Sequence, residues 1–324
     1  MHTLRVLLGL FVGLVGAALA VSGLAGAEGQ RQTVTFATTR GVSSMVALAM
    51  ETMVNDLLSG VTASTEIADS ERDVFRLVLD GRAQFGLVTI PEIAQRFPTV
   101  DERDRSGLSF VMGGHAATVA HLFVRDDLPN LTIDSLRGRR VALPEPGSAG
   151  EALARELLEA HGLNDRDIKP VFARVEEQVK AFEMGFVDAV ILVVPVPSPV
   201  VSSPAPTKLA ATGKARLLSL DPGAVERLLQ SSPGYSRHRI EAGPYPVQGG
   251  EVLSVARKNA VVVRKDLNPI LVYSFVKTII EHPAKFAKVC PLAMAYTPRN
   301  ILPGTPLLPL HPAAERYYRE KGIQ

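Results

Sequence analysis

Short apolar runs alternate with segments of helical spacing along the first third of the chain. The runs are bounded by polar and turn residues, which is typical of buried strands. The predicted strands are 33–38, 62–67 and 85–88. The predicted helices are 43–58, 70–80 and a segment after Pro91. This strand–helix alternation predicts a parallel sheet with helices on its faces.

A second alternation follows in the remainder of the chain. The predicted strands are 108–112, 120–125, 139–143, 171–173, 189–194, 215–220, 251–257 and 260–263. The predicted helices are the segment that opens at Ser148, 176–184 and 270–280. The polar segment "DDLPNLTIDSLRGRR", 126–140, predicts a crossing between two lobes. We therefore expect two α/β lobes joined by at least two crossings.

Lobe boundaries follow from that crossing. We assign 28–125 to the first part of lobe 1, 126–248 to lobe 2, and 249–324 to a return into lobe 1 that ends in a helix. The segment "VVPVPSPVVSSPAPTK", 193–208, reads either as a flexible linker or as a pocket rim. Its valines argue against disorder, and ligands bind at the carboxyl ends of such strands, so Pro197 is a candidate contact.

The N-terminal segment indicates export. Basic residues precede an apolar run, 6–21, and two small-x-small patterns end at Ala20 and Ala27. This predicts a signal peptide over 1–27, cleaved between about Val21 and Glu28. A membrane anchor is the alternative, but the run is short and no basic stop-transfer flank follows it.

Composition narrows the function classes. The chain has 324 residues, is 46% hydrophobic and 21% charged, and carries a formal net charge of +2. This near-neutral balance does not favour a nucleic-acid partner. The single cysteine, Cys290, excludes an internal disulfide and a cysteine-based metal site. The histidines show no paired metal spacing, so we expect no metal and no cofactor.

Ser148 stands where a helix N-cap belongs, and Glu151 follows three residues later as in a capping box. A nucleophile elbow would need glycine where Pro146 stands, and no histidine lies nearby to serve as base. We expect no catalytic residues. A plain cap and an anion site on the free N–H groups of the helix both stay open.

Other candidate contacts lie where helices or loops follow strands. Helix N-termini at Ser43 and Ser70 would attract a carboxylate, and Arg40 could clamp it bidentately or simply be solvated. The acidic residues beside Ser70 would hold an ammonium group or favour their own helix dipole. Thr89 and Tyr245 are further candidates. The full predicted binding set is Thr39, Arg40, Ser43, Ser70, Thr89, Gly147, Ser148, Ala149, Pro197 and Tyr245.

Five segments resemble one known family. They are "VTFAT" from Val34, "LVLDGRAQFGLV" from Leu77, "LRGRRVALPEPGSAGEALARELLEAHGLNDRDIKP" from Leu136, "GPYPVQ" from Gly243 and "LPLHPAAERYYREKG" from Leu308. The chain resembles the TAXI family of extracytoplasmic receptors of TRAP transporters, from about Thr33 to Gly322. It departs from that family in the first-lobe loops "TRGVSSMV", "IADSE" and Thr89-Ile90-Pro91.

The resemblance implies a two-lobed periplasmic-binding-protein fold of the type II, Venus-flytrap kind, with two mainly parallel sheets and a hinge of crossing segments. It implies a periplasmic receptor that captures a small carboxylate, such as a dicarboxylate, a glutamate-like compound or a keto acid. The partner would be a TRAP-type permease, and the chain would not be an enzyme. The alternatives are a receptor for an ABC permease or a membrane sensor, or an enzyme on the same fold.

Overall fold

The computed structural model describes residues 31–96, 107–113, 118–128, 132–195, 204–232, 234–243, 245, 249–298, 301–302 and 307–323. The predicted signal peptide, the 196–203 part of the Pro/Val segment and Pro197 lie outside the described residues. No helix among the described residues is long and apolar enough to cross a membrane.

The chain forms twelve described strands and ten described α-helices, together with short 3-10 turns at Ile133–Leu136 and Pro291–Ala295. The strands are β1 Gln32–Thr38, β2 Val61–Ile67, β3 Phe85–Thr89, β4 Leu108–Gly113, β5 Thr118–Arg125, β6 Arg140–Leu143, β7 Lys169–Phe172, β8 Ala189–Pro195, β9 Ala215–Leu217, β10 Tyr235–Ile240, β11 Val252–Arg257 and β12 Asn259–Arg264. The helices are α1 Val42–Leu57, α2 Glu71–Leu79, α3 Ile90–Arg96, α4 Ala149–Ala160, α5 Val175–Glu183, α6 Pro204–Ala211, α7 Pro222–Ser231, α8 Pro269–Glu281, α9 Pro283–Val289 and α10 Pro312–Glu320.

Lobe 1 is built on a five-stranded sheet in the order β2-β1-β3-β12-β4. Strand β1 pairs in parallel with β2 and β3, because helices α1 and α2 carry the chain back between them. Apolar side chains on one face pack against α1, α8 and α10. In the middle of this core the rings of Phe36, Phe85 and Phe275 stack within 6 Å of one another, with centroids 4.4–5.7 Å apart.

Lobe 2 is built on the second sheet, in the order β10-β11-β5-β8-β6-β7, with β9 also paired to β5. Strands β6, β7 and β8 run parallel and are joined through α4 and α5. Helix α4 buries Leu153, Leu157 and Leu158 against this sheet, which is the amphipathic face that the sequence spacing predicts.

Both sheets are mixed, so the prediction of two mainly parallel sheets is wrong. Strand β12 runs antiparallel to β3 and β4, and β5 runs antiparallel to β8, β9 and β11. A helical crossover returns the chain in the same direction, whereas a direct crossing from the other lobe can enter a sheet in the opposite direction. The strands that enter next to the crossings are the antiparallel ones.

The crossings lie elsewhere than the sequence boundaries suggest. Strand β5 belongs to the second sheet, so the first crossing falls between Gly113 and Thr118 rather than after residue 125. Strand β11 also belongs to the second sheet, so the return passes through Lys258 rather than residue 248. The polar segment 126–140 stays within lobe 2. An apolar strand reads the same in either lobe, which is why periodicity misplaced both boundaries.

Several elements were missed by the sequence prediction. Residues 204–211, read as linker or rim, form α6, and three further helices begin with proline at the first turn, α7, α8 and α9. Of these, only α8 was predicted. Proline is favourable at the first helical position because its missing N–H has no partner there. Strand β10 was also missed, and β9 ends at Leu217, short of the predicted 220.

Candidate functional site

A cavity of about 70 Å³ lies between the two lobes. We call it the interlobe cavity. Lobe 1 contributes residues 40–43, the entry to α1. Lobe 2 contributes the loop into α4, the start of α5, and two strand residues, Val193 and Arg257. The interlobe cavity therefore lies where ligands bind in open α/β sheets, beyond the carboxyl ends of strands.

The hydroxyl of Ser148 caps α4. Its Oγ accepts a hydrogen bond from the Glu151 backbone N–H at 3.1 Å, and the Gly147 N–H donates to Glu151 Oε2 at 2.6 Å. This arrangement resembles the predicted capping box, with the glutamate reaching Gly147 rather than Ser148 itself. The carboxylate of Glu151 already faces the positive end of the helix dipole, which makes this N-terminus a poorer anion site than the sequence suggested.

Helix α1 has no such cap. Its N-cap residue, Gly41, has a φ of 95° and offers no side chain, and the first turn contains no acidic residue. Ser43 is 4% exposed, and Ser44 Oγ donates to the Gly41 carbonyl at 2.8 Å without bonding the first N–H groups. The positive end of a 16-residue helix therefore faces the interlobe cavity without a side chain to satisfy it.

Arg257 is the residue that the sequence analysis missed. It ends β11, is 5% exposed, and lines the interlobe cavity. Its Nη1 donates to the carbonyl of Ala149, while its Nε has no hydrogen-bond partner among the described residues. Burial lowers the pKa of Arg257, and the charges of Tyr235 and Glu71 partly oppose that shift. Arginine nevertheless stays protonated in proteins, so the cavity contains a buried cation.

A second incompletely paired polar group lines the same cavity. Gln178 is fully buried in α5, and its Nε2 donates to the Ala173 carbonyl at 2.9 Å. Its Oε1 has no partner among the described residues. The interlobe cavity thus contains an unpaired donor and an unpaired acceptor, and buried polar groups are almost always paired in native proteins.

Three predicted contacts, Arg40, Ser43 and Ser148, line this cavity together with Ala149. The side chain of Arg40 is 46% exposed and pairs with Asp69 at 3.3 Å. Thr39 is fully buried just before them, and its Oγ1 has no partner among the described residues. The sequence therefore located one end of the site correctly.

Three other predicted contacts are not brought to the cavity. Ser70 caps α2, accepting from the Asp73 N–H at 3.3 Å and donating to Asp73 Oδ2 at 2.6 Å. Thr89 donates to Glu71 Oε2 at 2.8 Å. The hydroxyl of Tyr245 lies 3.0 Å from His121 Nε2 inside lobe 2, which is the packing role left open as its alternative. Burial lowers the pKa of His121 to about 4, so this ring is neutral near neutral pH.

Gly147 lies where the two lobes touch. Its φ is +74°, and a Cβ at this position would lie 2.4 Å from the backbone oxygen of Asp69 in lobe 1. On the same side, Gln95 Nε2 donates to Glu156 Oε1 at 3.2 Å, and Gly234 packs against Ile90. These contacts describe lobes that are closed on each other.

The comparison with protein families matches residues 35–322 to the model described as the NMT1-like family. The chain belongs to the NMT1-like family. The match spans both lobes and all the described residues of the interlobe cavity. The family description found is this one and not that of the TAXI receptors, so the sequence resemblance gave the broader class of protein correctly but its narrower assignment is not supported.

Solved structures similar to this NMT1-like chain support the fold. A protein from Bordetella bronchiseptica RB50 is 13% identical, with a TM-score of 0.53, 90% of this chain covered and 99% of that one. A Xanthomonas citri protein bound to ATP is 15% identical, with a TM-score of 0.50 and coverages of 90% and 97%. The periplasmic aliphatic sulphonate binding protein SsuA from Escherichia coli is 17% identical, with a TM-score of 0.45 and coverages of 90% and 94%. The predicted α/β class and two-lobed periplasmic-binding-protein fold are confirmed.

Proposed function

We propose that the chain is an extracytoplasmic solute-binding receptor that closes its two lobes on a small anion, most simply a carboxylate, and delivers it to a membrane permease. The observation that carries this proposal is Arg257, a buried guanidinium that lines the interlobe cavity with its Nε unpaired. A buried charge without a partner costs several kcal/mol, and an anionic ligand would remove that cost.

The uncapped end of α1 supports the same ligand charge. Its free N–H groups and helix dipole lie on the lobe 1 side of the cavity, whereas Arg257 lies on the lobe 2 side. An anion between them would accept hydrogen bonds from both lobes and would therefore favour the closed state over the open one. This is how ligand binding would drive closure.

The cellular setting is proposed from the sequence and the family together. The leader-like segment favours export to the periplasm, and the confirmed fold is that of periplasmic binding proteins. We propose binding without catalysis, because the cavity presents a cation and helix N–H groups but lines no nucleophile–base pair from its described residues. Product formation from any bound carboxylate would contradict this.

An ABC permease is the partner that we propose first, since the family found is the NMT1-like family rather than TAXI. A TRAP permease is the alternative, and the five TAXI-like segments are the observation that favours it. Uptake by cells separates the two. ATP-dependent uptake should be blocked by vanadate and survive ionophores, whereas uptake through a TRAP permease should show the reverse.

Calorimetry with the mature protein tests the ligand assignment. We expect acetate, glycolate, or another small anion to bind, and Arg257→Met to lose at least ten-fold in affinity because a charged hydrogen bond is removed. Arg239→Met is the matched control, because Arg239 is an exposed lobe 2 arginine paired with Glu251. If every anion tested binds Arg257→Met as tightly as the parent, the proposed site is wrong.

A further inference from the structure

Gln178 places a hydrogen-bond acceptor inside the interlobe cavity. The amide nitrogen is fixed by its bond to the Ala173 carbonyl, so the oxygen is the free end of the group. That oxygen is buried and has no partner among the described residues. A buried acceptor left unpaired is unfavourable, and a simple carboxylate could not pair with it because a carboxylate only accepts.

The charges around the cavity decide which donor fits. Arg40, Arg174 and Arg257 line it, and the only lining carboxylate among its described residues, Glu145, pairs with Arg174 at 3.2 Å. An ammonium group would therefore meet an excess of positive charge, whereas a neutral hydroxyl would not. The donor that fits Gln178 is a hydroxyl.

The size of the cavity limits the ligand further. Its volume is about 70 Å³, less than half of the roughly 150 Å³ that admits benzene in an engineered protein cavity. Glutamate and the longer dicarboxylates expected from the sequence are larger than benzene. The closed cavity fits an acid of two or three carbons.

We propose that the solute is a small hydroxy acid. Its carboxylate lies between Arg257 and the first turn of α1, and its hydroxyl donates to Gln178 Oε1. This proposal rests on the proposed function of the same cavity. It adds the hydroxyl and the size limit, which the sequence did not predict.

Glycolate and acetate form the matched ligand pair, since they share a two-carbon carboxylate and differ in one hydroxyl. Calorimetry with the wild-type protein should give an affinity for glycolate about ten-fold higher than for acetate, as expected for one net hydrogen bond. Gln178→Met has a similar volume and no acceptor. It should bring the glycolate-to-acetate ratio close to one by weakening glycolate alone.

Gln95→Met is the control variant, because Gln95 bonds Glu156 at the contact between the lobes and does not line the cavity. It should keep the ten-fold ratio. Equal wild-type affinities for glycolate and acetate overturn the hydroxy-acid proposal and leave the anion site standing. Glycine binding more tightly than glycolate also overturns it. If neither acid binds and no other small anion does, the proposed function itself fails. Should Gln178→Met not fold, the wild-type ratio decides alone.

Discussion

The carboxyl group of Glu71 is buried at the start of α2. Thr89 donates to its Oε2, and its Oε1 has no partner among the described residues. Burial raises the pKa of Glu71 to about 7, although the charge of Arg257 opposes the shift. In the unfolded chain this pKa is about 4.5, so the native protein binds the proton more tightly.

The contribution of Glu71 to stability is therefore fully present below about pH 4.5 and is lost as pH rises toward 7. We expect Glu71→Gln, which cannot titrate, to be more stable than wild type at pH 8 by up to about 3 kcal/mol, with the difference shrinking toward pH 5. Urea unfolding at several pH values measures this. A difference that does not change with pH would show that Glu71 does not titrate in that range.

Ser148 allows a cap and a ligand contact to be separated. Ser148→Ala should lower the free energy of unfolding by about 1 kcal/mol, because it removes the hydrogen bond to the Glu151 N–H. Glycolate affinity should change less, because Arg257 and α1 supply the main donors. Ser148→Asp should fold, since aspartate is also a good cap, but should bind glycolate at least ten-fold more weakly through charge repulsion. Thermal unfolding and calorimetry measure the two effects, and parent-like binding by Ser148→Asp would place the anion elsewhere.

At the scale of elements, the first turn of α1 is the lobe 1 half of the proposed site. A carboxylate introduced there would favour the helix dipole by about 0.3–1 kcal/mol while competing with a bound anion. We expect Ser44→Asp to keep or raise the melting temperature and to weaken glycolate binding about ten-fold. Ser44→Asn, which has nearly the same shape without the charge, is the control. Equal losses in both variants would indicate damage to the turn rather than competition.

Most individual elements could be predicted, but their assembly could not. Helix α1 and strand β1 lie within a residue of their predicted bounds, because apolar spacing and turn residues are local signals. The direction of β5 and β12 is a non-local property, which periodicity does not contain. Helix α7 was missed because Pro222 was read as a breaker, although proline is favourable at the first turn.

The candidate site divides in the same way. Ser43 and Ser148 follow strands, and the sequence predicted them as helix starts that could meet a ligand. Arg257 ends an apolar strand and reads as an exposed terminal residue. Its burial depends on its contact with Ala149, 108 residues away in the sequence. A charged residue closing an otherwise buried strand was the available signal.

For the whole molecule, the contact of Gly147 with Asp69 sets how far the lobes can close. Gly147→Ala should keep them apart, because a Cβ would meet the Asp69 oxygen at 2.4 Å. We expect about a ten-fold loss of glycolate affinity and no compaction on adding glycolate, measured by small-angle X-ray scattering. Gly162→Ala is the control, since Gly162 has a similar φ of +73° with nothing within 4 Å. Equal behaviour of the two variants would assign the loss to backbone strain.

The position of Arg257 has a consequence for the order of events in binding. It stands next to Lys258, where the chain passes between the lobes, and a group beside a pivot moves little when the two arms swing. The guanidinium can therefore receive an anion while the arms are still apart. The contact at Gly147 lies at the far end of the swing and is made last. Entry of the solute would then proceed at nearly the rate of diffusion, while its escape would wait for the arms to part.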